Sequence, residues 1–213
     1  MPAHLPGPGW LRASWAPSSP QQPSPPMTSR LNLCLALACS LLTGAACADD
    51  APPTLAPLLQ SIGERLSIAD QVALSKWDSH KAVEDRPREQ QVIAGATAQA
   101  ATYHLNEETV GQFFAAQIEA NKLVQYARLS SWHLQGQAPD TPRQDLAGQI
   151  RPQLDQLQKR LLQQLADFSP HRGDRQCPQW LAQATQATQA ASSDPLRQLA
   201  MIRATAELCV FKG

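Results

Sequence analysis

The sequence predicts an all-α fold, six helices in one domain, and three observations carry that prediction. No stretch sustains the two-residue alternation of a half-buried strand. Ala, Gln, Leu and Arg, all good helix formers, dominate the composition. Apolar residues also recur at helical spacing over long runs. The clearest is Leu146, Ile150, Leu154, Leu157, Leu161, Leu165 and Phe168, separated by four, four, three, four, four and three residues.

The first helix is expected from about Thr54 to Lys81, with Leu55, Leu58, Leu59, Ile62, Leu66, Ala69 and Ala73 on its apolar face. Asp85 suits the N-cap of a second helix, and Pro87 is tolerated in its first turn, where a missing N–H costs nothing. That helix is expected to end near Tyr103. Asn106 caps a third, which carries Val110, Phe113, Phe114, Ile118, Val124 and Ala127 to about Leu134 before Gly136, Pro139 and Pro142 break the chain. The fourth holds the Leu stripe from Leu146 to Phe168 and stops at Pro170 and Gly173. Two shorter helices follow, about Pro178 to Ala191 and Pro195 to Val210, the second opened by the N-cap and N1 pair Asp194-Pro195. The Ala/Gln/Thr run Thr185 to Ala191 reads as a polar helix face of low complexity.

Residues 1–48 read as targeting sequence rather than fold. Arg30 precedes the apolar run Leu31 to Leu42, and Ala46-Cys47-Ala48 is a small-x-small cleavage pattern before Asp49. The run is too short for a transmembrane helix, which needs roughly 20 residues. Residues 1–26 are rich in Pro and Ser, and Met27 would begin a signal peptide of ordinary length, so an overlong start is expected. The mature domain is then 49–213, periplasmic or secreted and free of the membrane once the signal is removed. Acylation of Cys47 is the competing reading, but Gly44 stands where a lipoprotein normally has Leu.

Removing the first 48 residues takes Arg12 and Arg30 and no acid, leaving 16 cations against 18 acids and a net charge near −2. No nucleic-acid surface is expected from that balance. Cys34, Cys39 and Cys47 leave with the signal segment. The pair that remains, Cys177 and Cys209, predicts one disulfide in an oxidising compartment. His4, His80, His104, His133 and His171 show no metal-ligand spacing and are read as surface residues.

Functional residues cluster on the helix faces. Arg65 and Lys76 are eleven residues apart, three helical turns with roughly 20° of drift, so both cations project the same way. The stripe Arg65, Ala69, Val72, Lys76 faces other protein, so these cations need anionic partners. Asp70, Asp78, Glu84, Asp85 and Glu89 are the carboxylates near in sequence, and a bound anion would supply the rest. Gln117, Asn121 and Gln125 form a polar stripe on the third helix, and Arg160 sits beside Leu157 and Leu161 on the fourth. With Arg88 this gives three guanidiniums, one ammonium and amide donors on four helices, a set suited to a small dianion.

In their order and spacing these stretches resemble the all-helical, type II chorismate mutases, and among them the secreted single-domain subfamily with a C-terminal disulfide. The stretches are Glu64-Arg65-Leu66, Lys76-Trp77, Val83 to Gln90, Phe113-Phe114, Gln117-Ile118, Asn121, Gln125-Tyr126, Trp132 and Leu157 to Leu162, together with the spacing of Cys177 and Cys209. The resemblance implies rearrangement of chorismate to prephenate, an intramolecular Claisen-type shift that needs no cofactor or metal. By the same resemblance Arg65, Arg88 and Arg160 bind the two carboxylates, and Lys76 and Gln125 donate to the ether oxygen. Asp85 and Glu89 meet the ring hydroxyl, and Asn121 stands where the family often has Ser or Thr. Because Gln125 donates at every pH, no acid requirement is expected where relatives with Glu have one. A homodimer with the active site inside each protomer is also implied.

Plainer readings compete residue by residue. Asp85 is a good N-cap, Asn121 and Gln117 could pair between helices, Arg160 could meet Asp155 or Glu207 on the surface, and Trp77 and Trp132 suit a core. At the level of the whole chain, the alternative is a non-catalytic exported helical module binding a small dicarboxylate or a protein partner.

Overall fold

A computed structural model describes residues 50–190 and 193–210, and among them every regular element is helical. The targeting reading of residues 1–48 lies outside the described residues, as does the end of the Ala/Gln/Thr run. The six α-helices are α1 Leu55–Ser79, α2 Arg86–Thr97, α3 Glu107–Gln135, α4 Arg151–Phe168, α5 Cys177–Ala190 and α6 Pro195–Thr205.

The expected caps are in place. Asp85 accepts from the backbone N–H of Arg88 at the start of α2, and Asn106 accepts from Glu108 and Thr109 at the start of α3. Asp194 accepts from Leu196 at the start of α6. His80, at φ 54°, and Gly136, at φ 73°, end α1 and α3 in the left-handed conformation common at helix ends.

Three boundaries differ from expectation. The second helix stops at Thr97, and Ala100–Tyr103 forms a separate 3-10 turn. The fourth opens with a wide π turn, Leu146–Ile150, before α4. Pro152 explains this, because its ring crowds the carbonyl four residues back and supplies no N–H to it. The sixth helix ends at Thr205 rather than Val210, because the following segment is captured from outside. The buried guanidinium of Arg172 donates to the carbonyls of Glu207 (2.8 Å) and Leu208 (3.0 Å), and the N–H of Val210 donates to the carbonyl of Arg172 (2.8 Å). Cys177 and Cys209 close the expected disulfide, with their Cα atoms 5.8 Å apart.

The core joins α1, α3, α4 and α6. Leu58, Ile62 and Leu66 of α1 meet Phe113 and Phe114 of α3, Leu161, Leu162, Leu165 and Phe168 of α4, and Ala200 and Ala204 of α6. Each fully buried Leu contributes about 1.5–3 kcal/mol. Small residues on α6 let it lie close against α3. The two run antiparallel, Arg128 pairing with Asp194 at one end and Gln117 donating to the Ala204 carbonyl (2.7 Å) at the other. That bond takes Gln117 out of the pairing with Asn121 that the sequence left open. Trp132 is buried and Trp77 half-buried in a smaller cluster with Ala73 and Leu74. His171 is half-buried rather than on the surface, its ring 6.4 Å from that of Trp180.

Candidate active site

One side of this core is left open between α1, α2, α3 and α4, and a cavity of about 140 Å³ lies there. Helix α1 supplies Arg65, Val72 and Lys76. The first turns of α2 supply Arg88, Glu89 and the capping Asp85. From α3 come Ile118, Asn121, Lys122 and Gln125, and the π turn and α4 add Leu146, Arg151, Leu154, Asp155 and Gln158. The predicted residues Arg65, Lys76, Asp85, Arg88, Glu89, Asn121 and Gln125 are therefore brought to one cavity.

Arg65 is buried, with 6% of its surface exposed. It makes no ion pair among the described residues, and its Nε has no hydrogen-bond partner. Desolvation pulls its pKa from the ordinary guanidinium value down to about 10, partly countered by the charge of Asp155 across the cavity. Of the carboxylates near it in sequence, Asp70 is held by Arg128 and Arg197, Asp78 by Arg143 and Glu84 by Arg86. The sequence did not point to Asp155 as the facing acid. Lys76 is half-buried and makes no ion pair among the described residues.

Helix α2 presents its first turn through local bonds. Asp85 caps Arg88, and the Glu89 carboxylate reaches back to the Asp85 N–H (3.1 Å). The other oxygen of Glu89 meets the Lys122 ammonium at 3.3 Å, and Lys122 also contacts Glu119 at 3.0 Å. Those two carboxylates outweigh desolvation and hold the Lys122 pKa above its ordinary value. Arg88 is half-buried and donates to Gln91 at 2.8 Å. Asn121 donates to the Arg65 carbonyl (3.4 Å) and accepts from Gln125 (2.7 Å).

Arg160 is not brought to this cavity. Its guanidinium lies on the exposed side of α4, 2.9 Å from Glu64, a carboxylate the sequence did not offer as its partner. The reason is helical phase. Nine residues separate Arg160 from Arg151, and at 3.6 residues per turn that is roughly half a turn out of register. Arg151 and Lys122 are the lining cations that the sequence reading passed over. A usable signal was present on the fourth helix, where Arg151, Leu154, Asp155 and Gln158 follow at i, i+3, i+4 and i+7, one face of a helix.

The lining holds five cations, Arg65, Lys76, Arg88, Lys122 and Arg151, against three carboxylates, Asp85, Glu89 and Asp155, a net charge of +2. It contains no hydroxyl, thiol or imidazole side chain. Such a wall has the charge and the donors to hold a dianion.

Fold and cavity together define an all-helical enzyme that handles a small dianion by position and charge. Residues 56–126 match the family described as chorismate mutase type II. The chain is 34% identical over 179 residues to the secreted chorismate mutase of Mycolicibacterium smegmatis, covering 84% of this chain and 98% of the relative. It belongs to the chorismate mutase family. The secreted chorismate mutase of Mycobacterium tuberculosis is 32% identical over 165 residues, 75% of this chain and 80% of that one. Among solved structures, the chorismate mutase from Burkholderia phymatum superimposes with a TM-score of 0.72 at 48% identity, covering 74% of this chain and 97% of its own.

Proposed function

We propose that the cavity between α1, α2, α3 and α4 converts chorismate to prephenate, and that Arg65, Arg88 and Arg151 hold the two carboxylates of the substrate. The observation that carries this reading is Arg65, a buried guanidinium with an unpartnered Nε beside a cavity. Such a cation is costly alone and is relieved by a carboxylate in bidentate contact. The net charge of +2 in the lining complements the two negative charges of chorismate.

The reaction is unimolecular, so the site needs only to fold the substrate with its reacting carbons close and to stabilise charge growing on the ether oxygen. Lys76 and Gln125 donate to that oxygen. Asp85 and Glu89 border the side of the cavity that receives the ring hydroxyl, with Glu89 steadied by Lys122. Arg160, paired with Glu64, keeps at most an outer influence on the dianion.

Residues 1–48 direct export and are removed, leaving 49–213 as the mutase domain outside the cytoplasm. The relatives named as secreted support this reading, as does the Cys177–Cys209 disulfide. The chemistry is that of Phe and Tyr biosynthesis, and the working form is a homodimer with one active site in each protomer.

The test is the loss of chorismate absorbance with the purified, disulfide-bonded protein, run beside Lys76→Ala. Turnover in the parent is expected, with a loss of about 10²–10³ in kcat for the variant, as for other lost oxyanion donors, and an unchanged melting curve. A folded parent without turnover that still binds dicarboxylates would overturn catalysis in favour of a binding module.

A further inference from the structure

Asn121 and Gln125 lie one turn apart on α3, 8% and 5% exposed. The Nδ2 of Asn121 donates to the main-chain carbonyl of Arg65 on α1, at 3.4 Å, and its Oδ1 accepts from Nε2 of Gln125, at 2.7 Å. A backbone carbonyl can only accept. Asn121 must therefore turn its NH2 toward Arg65, which leaves its oxygen for Gln125. Gln125 must in turn offer nitrogen to Asn121. One backbone atom thus fixes the direction of the whole chain of bonds.

We propose that Asn121 is a positioning residue, holding the Gln125 amide so that the second N–H on the same nitrogen is the donor available in the cavity. This rests on the mutase reading and deepens it. The amide oxygen of Gln125 is buried without a partner among the described residues. An amide free to choose its orientation would relieve that oxygen, so the orphan marks an orientation imposed from Asn121. A reversed amide would set oxygen lone pairs against an ether oxygen that is gaining negative charge. A Ser or Thr hydroxyl would have to serve both contacts from one oxygen on a shorter side chain, so it would hold the Gln125 amide less firmly than the two separate atoms of the Asn121 amide do.

The experiment compares Asn121→Ser in the parent and in a Gln125→Ala background, reading kcat, KM and the side-chain amide protons of Gln125 by NMR. In the parent, kcat is expected to fall by about tenfold or more, as misplacement of a donor does, with KM moved by less than about threefold. Asn121→Ser and Gln125→Ala together should cost no more than Gln125→Ala alone, because the one acts through the other. One Gln125 amide proton should be protected from exchange in the parent and lose that protection in Asn121→Ser. Full additivity of the two losses, or a KM effect that persists without Gln125, would overturn the proposal by showing that Asn121 meets the substrate itself. Unprotected amide protons in the parent would overturn it as well. An inactive parent with a protected amide proton would fell the mutase reading while the positioning of Gln125 by Asn121 stood.

Discussion

Arg65 carries its charge largely out of water, with 6% of its surface exposed. The displacement of its pKa from the ordinary guanidinium value down to about 10 corresponds to roughly 3 kcal/mol against the folded state. Since the folded value lies below the unfolded one, the folded chain binds fewer protons from about pH 10 up to the ordinary guanidinium pKa. The contribution of this group to stability therefore rises through that window, and its cost is present in full below it. At neutral pH, Arg65→Met should raise the melting temperature while abolishing turnover, a split that calorimetry beside the chorismate assay would read. At the same scale, Arg151→Ala should raise KM by about tenfold or more, since a hydrogen bond to a charged group contributes roughly 1.5–3 kcal/mol. Arg160→Ala should shift it little, because exposed pairs such as Arg160–Glu64 contribute about 0.2–1 kcal/mol. Equal effects of the two on KM would show that Arg160 swings into the cavity. Arg65 and Lys76 were legible in the sequence because helical periodicity sets the face they share on α1, and Gln125 because it continues the polar stripe of α3, whereas the role of Arg88 was reached only through the family resemblance. Arg151 and Arg160 lie roughly half a turn out of register on the fourth helix, so only one of them can face the cavity, and which face of α4 turns inward is set by its packing, which the spacing Arg151, Leu154, Asp155, Gln158 reports only in part.

At the scale of the element, α2 is the least anchored part of the site, with Ala96 its one buried residue. Its first turn holds Arg88 and Glu89 through the Asp85 cap and the Lys122 bridge. Asp85→Ala should cost about 1 kcal/mol, as lost caps do, and should raise KM by loosening Arg88. Thermal melts and steady-state kinetics together separate the two effects. Most helix boundaries were legible from caps and breakers, Asp85, Asn106, Gly136 and Asp194 among them. The end of α6 was not, because nothing near Thr205 in sequence stops a helix. The stop comes from Arg172, more than thirty residues earlier in the chain, and no local pattern reports such a contact. Removing that guanidinium leaves the Glu207 and Leu208 carbonyls without their donor. Arg172→Met should therefore destabilise by roughly 2–4 kcal/mol with kcat unchanged.

On the scale of the whole molecule, the Cys177–Cys209 disulfide ties the start of α5 to the segment after α6, and its separation of 32 residues predicts a stabilisation of roughly 3–4 kcal/mol in the chain-entropy model. Reduction should lower the melting temperature by several degrees, about 2–4 °C per kcal/mol for a chain of this size, and leave turnover at room temperature intact, since neither Cys lines the cavity. A loss of activity without a loss of stability would contradict this separation of staple from site. Arg65 and Lys76, finally, stand on one unbroken helix, so the distance between two working charges is set by a ruler of fixed pitch. One residue inserted between them turns one charge away from the other by about 100°. Seven inserted residues restore the direction but part the pair by about 10 Å. No insertion returns both, so descent can lengthen or shorten the connections between helices, whereas along this stretch of α1 it can revise the site only by exchanging one side chain for another.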